Sequence, residues 1–559
     1  MNEQKNLLLA IVASLLILLV FQHFFPGENT RSLEENNDNN LSNNDLTAAV
    51  IPLDRNKALE KDKRVFLSSS SRLKGSVSLK AARIDDIILR DYKENINNDS
   101  PLVTLMSPKK TDKPYFAEFG WHAPQSNIDV PKNEAIWKLV KGKELSPENP
   151  VILEWISPDN LIFTRKISID KNFLFTIEDK VRNNTSATQT LQQYGRIRRT
   201  GTPETSGFYI LHEGPIGVLD ERLIELDYED LLEKAQTINS SEDAKSGGWI
   251  GITDKYWLAA LIPDQKNKIA GTFKSSIKNN KVMYEVNYSS SLFEIGPDQE
   301  IKVVSNLFIG AKEVNLLDQY SKKLSIKMFD RAVDFGWFYY ITKPLFNLLH
   351  WFSGIFGNVG LSILALTIVI RIILFPLANK SFKSMSKMKV LTPKIQEVRE
   401  RYKNDKLKMQ QEIMHIYKNE KVNPLSGCLP ILIQIPIFFA LYKVLFVTLE
   451  TRHEPFYGWI KDLSAPDPTT IFNLFGLLNF TPPSFLLIGI WPILMAFTMF
   501  LQTKLNPTPP DPLQAKIMTY LPIVFLFLFA TFPAGLVIYW TWNNILSIGQ
   551  QWIIMKKTK

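Results

Sequence analysis

The sequence predicts a multi-pass α-helical membrane protein that also carries a large all-β water-soluble domain. Its 559 residues are too many for one hydrophobic core, so at least two domains are expected. Residues 27–335 are polar and rich in turns, whereas long apolar runs follow from residue 337 onward. The net charge of +9 is concentrated beside those apolar runs. These observations separate a polar N-terminal part from a membrane-embedded C-terminal part.

The N-terminus is predicted to be a membrane anchor that occupies residues 1–26. One lysine precedes an apolar run that extends from Asn6 to Phe25. A cleavable signal peptide is the alternative, but no pair of small residues in the spacing of a cleavage site follows the run. The next residues, 27–55, are rich in Asn, Asp and Ser and predict a flexible linker.

Residues 56–325 are predicted to form a large β-sandwich. In Leu161–Ile169 apolar and polar residues alternate, and only Arg165 interrupts the apolar positions. Many short strands separated by frequent turns are typical of sandwiches. Further strands are predicted at residues 75–77, 84–89, 151–156, 173–177, 249–252, 256–262, 282–288 and 301–309.

The C-terminal part is predicted to contain an interfacial helix followed by a membrane core at 357–555. Residues 337–356 combine many aromatic side chains with Lys343, Asn347 and His350, which favours a helix lying in the membrane interface. A core helix of a folded domain is the alternative. Together with the N-terminal anchor, five apolar runs would make six transmembrane helices, the five being 357–377, 428–448, 485–502, 517–532 and 534–554.

The distribution of basic residues predicts the orientation in the membrane. Residues 378–424 contain twelve Lys or Arg side chains against five Asp or Glu, and the tail 556–559 adds three lysines. Cytoplasmic loops carry the excess of positive charge, so these segments and both termini are expected in the cytoplasm. The β-domain is then expected outside. Because the positive charge is not in the soluble domain, DNA binding is not expected.

Residues 382–420 are predicted to form a cytoplasmic helical hairpin. Met388, Leu391, Ile395 and Val398 follow a coiled-coil spacing, and a turn at 403–405 precedes a second helix. Its basic face suits anionic lipids or ribosomal RNA, and its methionines suit adaptable contacts. A solvated basic face that only sets topology is the alternative. The residues predicted to make contacts are Met385, Lys387, Met388, Lys389, Arg399, Arg401 and Met409.

The most informative residue of the membrane part is Arg371, which lies inside an apolar run. A guanidinium at membrane depth costs about 2.5–3.5 kcal/mol on insertion scales, so it is expected to face a polar interior. Snorkelling to the headgroups is the alternative. Thr367 lies four residues earlier, on the same helix face. Gln434, Asn543 and Asn544 are the other candidates for a polar interior or for helix–helix hydrogen bonds.

Other classes of chemistry find little support in the sequence. The chain has one cysteine and no metal-binding or nucleotide-binding motif, so no cofactor is expected. The predicted spans contain no Asp or Glu, which weighs against proton-coupled transport. A small-solute transporter would show internal repeats, and none is evident. An anchored carbohydrate enzyme would need paired carboxylates or a histidine in a cleft of the β-domain. These two classes remain as alternatives.

Five segments of the C-terminal part resemble the YidC-type membrane protein insertases of Gram-negative bacteria. The resemblance covers residues 337–555 closely and extends more weakly through residues 6–8, 247–249 and 334–337. The segments that carry it are 359–371 (VGLSILALTIVIR), 385–402 (MSKMKVLTPKIQEVRERY), 421–442 (KVNPLSGCLPILIQIPIFFALY), 459–468 (WIKDLSAPDP) and 516–540 (KIMTYLPIVFLFLFATFPAGLVIYW).

This resemblance implies a protein of the bacterial inner membrane that inserts and folds other membrane proteins and is not an enzyme. It implies a periplasmic β-supersandwich, similar in fold to sugar mutarotases, and a five-helix insertase core that encloses a hydrophilic groove. The polar end of a nascent membrane protein would enter the groove while its apolar segment moves into lipid along the second and fourth core helices. The implied groove residues are Arg371, Thr367, Gln434, Tyr539 and Trp540.

The resemblance also implies partners. The insertase would work alone or alongside the Sec translocon. Because the basic tail is short, weak contact with the ribosome would depend on the cytoplasmic hairpin, which would also contact anionic lipids.

Overall fold

The structure is a computed structural model that describes residues 52–125, 128–205, 211–234, 238–239, 247–278, 280–420, 429–478, 480, 482–483, 486–505 and 512–558. The chain divides into two compact units, and the division falls between Asp334 and Phe335. The predicted anchor, and the predicted linker up to residue 51, lie outside the described residues.

The first unit is built from β-strands. Its strands, in chain order, are β1 (Arg64–Leu67), β2 (Leu73–Ser78), β3 (Arg83–Lys93), β4 (Leu102–Met106), β5 (Tyr115–His122), β6 (Lys138–Lys141), β7 (Glu144–Leu145), β8 (Val151–Ile156), β9 (Leu161–Ile169), β10 (Leu174–Asn183), β11 (Gln189–Thr200), β12 (Gly214–Leu219), β13 (Arg222–Glu225), β14 (Ile238–Asn239), β15 (Trp249–Thr253), β16 (Trp257–Ile262), β17 (Ile269–Lys278), β18 (Lys281–Ile295) and β19 (Glu300–Ala311).

These strands form two sheets that pack face to face. The ten-stranded sheet has the order β14-β17-β18-β11-β5-β3-β2-β1-β7, with β4 paired to β3. The nine-stranded sheet has the order β13-β12-β15-β16-β19-β10-β9-β8-β6. Strands β1 and β7 run parallel, and the other described pairs are antiparallel. The predicted β-rich domain is therefore confirmed.

Each strand segment predicted from alternation overlaps an observed strand. The largest omission is β11, which lies near the middle of the ten-stranded sheet, between β5 and β18. Its buried residues Leu191 and Ile197 are separated by polar and charged side chains, among them Gln193, which is also buried. The alternation of apolar and polar residues that predicts a strand is interrupted in β11, because the polar side chain of Gln193 occupies an interior position.

An ion pair is buried where the two sheets meet. Arg165 of β9 donates from Nε to Asp179 Oδ1 at 2.7 Å and from Nη2 to Asp179 Oδ2 at 2.8 Å. Its Nη1 donates to the carbonyl oxygen of Phe119 in the opposite sheet at 2.9 Å. Both charged side chains are buried. The residue that interrupts the alternation of β9 therefore points inward with its apolar neighbours, because a carboxylate neutralises it.

Further hydrogen bonds extend this buried network across the sheets. Gln193 of β11 donates to Asp179 Oδ2 at 3.1 Å. The hydroxyl of Tyr288 on β18 lies 2.7 Å from that of Ser305 on β19, and both lie within 3.3 Å of Gln193 Oε1. Buried polar groups of this kind are costly unless all are satisfied. The network therefore specifies how the two sheets align.

Charged side chains also pair across strands on the other face of the ten-stranded sheet. Glu118 accepts from Arg83 at 3.3 Å and from Arg196. Glu285 accepts from Arg198 Nε at 2.9 Å and lies 2.8 Å from Lys274 Nζ. Burial raises the pKa of Glu285, but Lys274 and Arg198 outweigh it and lower that pKa from 4.5 to about 2.

The helices, in chain order, are α1 (Arg55–Leu59), α2 (Tyr228–Lys234), α3 (Val314–Lys323), α4 (Tyr339–Phe356), α5 (Val359–Arg401), α6 (Lys406–Asn419), α7 (Leu429–Val447), α8 (Ile490–Leu505), α9 (Pro512–Ala530) and α10 (Ala534–Thr558). Short 3₁₀ helices occur at Phe329–Ala332, Leu449–Thr451 and Ile471–Gly476. Helices α4 to α10 belong to the second unit, so the predicted helical C-terminal region is confirmed.

Helix α5 joins two elements that the sequence separated. The predicted span 357–377 and the first arm of the predicted hairpin 382–420 are one uninterrupted helix of 43 residues. The chain stays helical through residues 378–381, and Pro376 and Pro393 both lie within this helix. Asn358 caps the start of α5 by accepting a hydrogen bond from Leu361 N at 2.9 Å.

The second arm of the hairpin is α6. It starts after Asp405, whose carboxylate accepts from Lys408 N at 3.0 Å. The buried residues Leu391 and Ile395 of α5 pack with a group of half-buried apolar side chains. That group consists of Met388, Ile413, Ile416 and Tyr417.

One described helical segment, Val359–Met388, is long and apolar enough to cross a membrane. Shorter apolar helices occur at Ile433–Val447, Ile490–Leu505 and Ala515–Ala530. The count of six spans stays a prediction. Helices α7, α8, α9 and α10 overlap the four later predicted spans, and α8 begins at Ile490, five residues after the predicted position.

We expect the Asp179→Ala variant to lose about 3–5 kcal/mol of unfolding free energy in the first unit, because Arg165 would remain buried and charged without its carboxylate. Urea unfolding of the full chain in detergent, followed by tryptophan fluorescence, measures this. The double variant Arg165→Met/Asp179→Leu removes both charges and should be more stable than Asp179→Ala. A double variant as unstable as the single one would show that the ion pair is not the cause.

The low pKa of Glu285 predicts a dependence of stability on pH. Because this pKa is lower in the folded state, Glu285 contributes stability above about pH 5, and the contribution disappears as pH falls toward 2. The difference amounts to about 3 kcal/mol. In the Glu285→Gln variant, the loss of unfolding free energy between pH 7 and pH 2 should be smaller by that amount. Identical pH profiles for the two proteins would contradict the assignment.

Candidate functional site

A column of buried polar residues runs along one face of α10. Tyr539, Asn543, Ser547 and Gln551 are each four residues apart, and all are buried. A spacing of four places side chains above one another on the same helix face. Helix α10 therefore presents a polar stripe to the interior of the second unit.

Arg371 of α5 binds this column. Its Nε donates to Asn543 Oδ1 at 2.9 Å, and its Nη2 donates to the carbonyl oxygen of Asn543 at 3.2 Å and to Ser547 Oγ. Arg371 lies twelve residues after the start of α5, about 18 Å along the helix axis. The next two residues, Ile372 and Ile373, are 66% and 70% exposed and face outward. The guanidinium therefore points to α10 and not along the helix toward the headgroups.

The partners of Arg371 are electrically neutral. They are an amide oxygen, a backbone carbonyl and a hydroxyl, and among the described residues no carboxylate pairs with the guanidinium. Its Nη1 makes no hydrogen bond within the described part of the chain. The site consequently keeps a full positive charge and one group of free donors.

Gln434 connects α7 to the same column. Its Nε2 donates to the hydroxyl oxygen of Tyr539 at 2.6 Å, and Tyr539 is buried. Tyr539 lies one turn before Asn543 on α10. Arg371, Gln434 and Tyr539, three of the predicted groove residues, are therefore brought together along one helix face.

Thr367 is predicted at the groove but makes a local contact. Its hydroxyl donates to the carbonyl oxygen of Ile363 at 2.7 Å, and the side chain is buried. A threonine within a helix often bonds the carbonyl four residues earlier in this way. Thr367 therefore shares the helix face of Arg371 without joining its hydrogen bonds.

Trp540 lies in an aromatic cluster, away from the hydrogen bonds of its neighbour Tyr539. Its ring centroid is 4.7 Å from that of Phe438 on α7, and 5.2 Å and 6.2 Å from those of Phe529 and Phe525 on α9. Consecutive helical residues point about 100° apart, which explains the separation. Of the predicted pair, Tyr539 therefore lies in the polar column and Trp540 lies in the aromatic cluster between α7 and α9.

The two adjacent asparagines also have different partners. Asn544 donates to Thr498 Oγ1 of α8 at 3.2 Å, which is a helix–helix hydrogen bond. Asn543 holds Arg371. From the sequence, Asn543 was a candidate for a polar interior or a helix–helix hydrogen bond but not an implied groove residue, and Ser547 was not named. The spacing of four from Tyr539 to Gln551 was the signal that could have found both.

The hairpin residues fall into exposed and packed groups. Lys387 is exposed, and Arg401 is exposed with its Nη2 2.8 Å from Glu397. Arg399 and Met409 are half-buried. The helical backbone includes Lys389, whose side chain lies outside the described part.

Two of the predicted contact methionines pack within the second unit. Met385 packs against a buried cluster that contains Phe382 and Ile554. Met388 packs with Leu391 and Ile395 in the hairpin core. Each side chain is half-buried, so only part of its surface is available to a partner.

The loop 453–470 caps the starts of two helices and contacts the start of a third. The carboxylate of Asp467 accepts from Trp491 N of α8 at 2.9 Å and from Trp459 Nε1 at 3.1 Å. Caps of this kind satisfy the unpaired N–H groups of a first helical turn. Asp467 therefore helps to determine where α8 starts.

The same loop caps α10 and contacts the start of α5. Ala534 N donates to the carbonyl oxygen of Ala465 at 2.7 Å, and Gly535 N donates to that of Leu463 at 3.0 Å. Asn358 Nδ2 donates to the carbonyl oxygen of Pro455 at 3.1 Å. The helices that carry Arg371 and the polar column are thus joined at one end by a single loop.

Two family models match this chain. The model described as 60Kd inner membrane protein matches residues 351–559, which include the polar column and Arg371. The model described as YidC periplasmic domain matches residues 69–348.

Similar solved structures include an active YidC insertase with its first transmembrane domain resolved. It is 18% identical, covers 97% of this chain and 98% of its own, and has a TM-score of 0.35. A galactose mutarotase-like protein from Lactobacillus casei is 6% identical, covers 44% of this chain and 100% of its own, and has a TM-score of 0.31.

Curated relatives match over the full length. The membrane protein insertase YidC of Rickettsia felis is 49% identical over 99% of this chain and 99% of its own. The protein of the same name from Rickettsia akari is also 49% identical, with the same coverage. With this identity over the whole length, the chain belongs to the YidC family of membrane protein insertases.

Proposed function

We propose that this insertase receives the polar end of a nascent membrane protein at Arg371 and the polar column of α10, and releases its apolar segment into the inner membrane. The observation that carries the proposal is the positive charge of Arg371, whose hydrogen-bond acceptors among the described residues are all neutral. Because the family consists of insertases, the transporter and carbohydrate-enzyme alternatives are discarded.

The energetics of insertion explain why such a site would help. Burying about 20 apolar residues in lipid is favourable and needs no nucleotide. The barrier is the flanking polar segment, in which one acidic residue costs about 2.5–3.5 kcal/mol at the centre of the membrane. A carboxylate about 4 Å from a guanidinium gains about 4 kcal/mol at an effective dielectric constant near 20. Arg371 would therefore offset the cost of about one acidic residue at a time.

The apolar segment would move along α7 and α9. Ile435 and Phe439 of α7 are exposed, as are Ile523 and Phe527 of α9. These surfaces suit lipid chains and the apolar side chains of a substrate. The aromatic cluster around Trp540 connects the same two helices. A substrate with its polar end near Arg371 would thus have an apolar route beside it.

The proposal includes an arrangement in the membrane. The N-terminal anchor and five core helices would give six spans, with both termini in the cytoplasm and the β-domain in the periplasm. The excess of Lys and Arg in 378–424 supports this orientation.

The exposed Lys387 and Arg401 of the hairpin suit contact with anionic lipids and, weakly, with the ribosome. Cooperation with the Sec translocon rests on the family resemblance.

We expect the Arg371→Ala variant to insert substrates with acidic translocated segments about tenfold more slowly, because it loses the attraction of the guanidinium. Arg371→Lys keeps the charge and should be milder. The measurement is protease protection of a small single-span protein added to liposomes that contain only the purified full chain. Ile372→Ala changes an exposed neighbour and should insert like the unchanged protein.

Equal insertion by the unchanged protein and both Arg371 variants would contradict the role of the arginine. If the unchanged protein inserts no more than empty liposomes do, autonomous insertion is contradicted. Adding purified Sec translocon then shows whether the chain acts only beside that channel.

A further inference from the structure

We propose that Asn543 is a positioning residue that makes Arg371 selective for acidic segments, because its neutral amide holds the guanidinium without cancelling the charge. This inference rests on the proposed function and deepens it by assigning the selectivity to a residue of α10. The class of ligand is the carboxylate side chain of Asp or Glu in a translocated segment.

Asn543 contacts the guanidinium twice. Its side-chain oxygen accepts from Arg371 Nε at 2.9 Å, and its backbone oxygen accepts from Nη2 at 3.2 Å. Ser547, one turn later, also accepts from Nη2, and its own hydroxyl donates to the carbonyl oxygen of Asn543 at 2.7 Å. One edge of the guanidinium is therefore fixed against α10.

The opposite end of the guanidinium is left for a ligand. Within the described residues Nη1 has no hydrogen-bond partner, although an arginine carries five N–H donors. A carboxylate that approaches Nη1 would form a charge-assisted hydrogen bond without displacing Asn543. Fixing the inner edge also lowers the entropy lost when the ligand binds.

The first unit of the same chain contains the contrasting arrangement. Arg165 is held along its Nε and Nη2 edge by Asp179, at 2.7 Å and 2.8 Å, and the two charges cancel. Asn543 offers Arg371 an oxygen in a side chain of the same shape as Asp, but without the charge. A buried arginine ordinarily needs a neutralising partner. The amide at position 543 therefore leaves the charge available to a substrate carboxylate.

The Asn543→Asp variant tests the inference directly. The substitution preserves shape and the acceptor oxygen but adds the cancelling charge. The readout is a selectivity ratio, which is insertion of a single-span protein with two Asp in its translocated tail divided by insertion of the same protein with two Asn. We expect Asn543→Asp to lower this ratio about tenfold, to the value of Arg371→Ala.

This readout separates selectivity from folding. A residue with a purely structural role would keep the ratio, because Asn543→Asp strengthens the bond to Arg371 and should not lower the thermal unfolding temperature. The matched control is Asn544→Asp, which adds a carboxylate at the next position, where the side chain faces Thr498 of α8. The selectivity ratio of Asn544→Asp should equal that of the unchanged protein. Should Asn543→Asp fail to fold, Ser547→Asp adds the charge at the other side-chain partner and should give the same loss.

The outcomes distinguish the inference from the function on which it rests. If Arg371→Ala lowers the ratio and the folded carboxylate variants do not, Asn543 does not control selectivity, and the proposed function stands. If Arg371→Ala itself keeps the ratio, the proposed role of Arg371 is wrong. If Asn544→Asp lowers the ratio as far as Asn543→Asp, the effect is not specific to the partner of Arg371, and the inference is overturned.

Discussion

The hydrogen bonds between Arg371 and α10 are the constraint on which the second unit depends. A guanidinium within an apolar helix must be solvated by the protein, and here Asn543 and Ser547 provide the acceptors. The same helix binds α7 through Tyr539 and α8 through Asn544. Hydrogen bonds between helices are valuable in an apolar surrounding because water is not there to replace them. Helix α10 is therefore the polar axis that α5, α7 and α8 share.

The chain accommodates two interior arginines in opposite ways. In the β-domain, Asp179 neutralises Arg165, and the ion pair joins a network that aligns the two sheets. In the second unit, Asn543 binds Arg371 without neutralising its charge. The first arrangement serves the specificity of the fold, since each nitrogen of the Arg165 guanidinium has an acceptor. Among the described residues, the second leaves Arg371 without a carboxylate partner, a cost to stability that the proposed binding role would explain.

The loop 453–470 helps to position the starts of the helices of this site. Its carbonyl groups and the carboxylate of Asp467 satisfy the first N–H groups of α10 and α8, and it also contacts the start of α5. Fixing these ends fixes the height of Arg371 against Asn543, because both residues lie a set number of turns from their caps. The exposed apolar faces of α7 and α9 take no part in these caps, which agrees with the proposed route of the apolar segment.

The sequence by itself determined the family and the β-rich and helical parts, because these follow from motifs, alternation and long apolar runs. The family resemblance also implied Gln434 and Tyr539 as groove residues, and in the structure a hydrogen bond joins their side chains. Only the tertiary structure decided that Asn543, and not Asn544, holds the guanidinium. Adjacent residues point about 100° apart, and the helix that each one faces depends on packing between segments that are distant in the chain. For the same reason, the sequence of β9 alone does not show that Arg165 points inward. That orientation depends on Asp179, which pairs with Arg165 from the neighbouring strand.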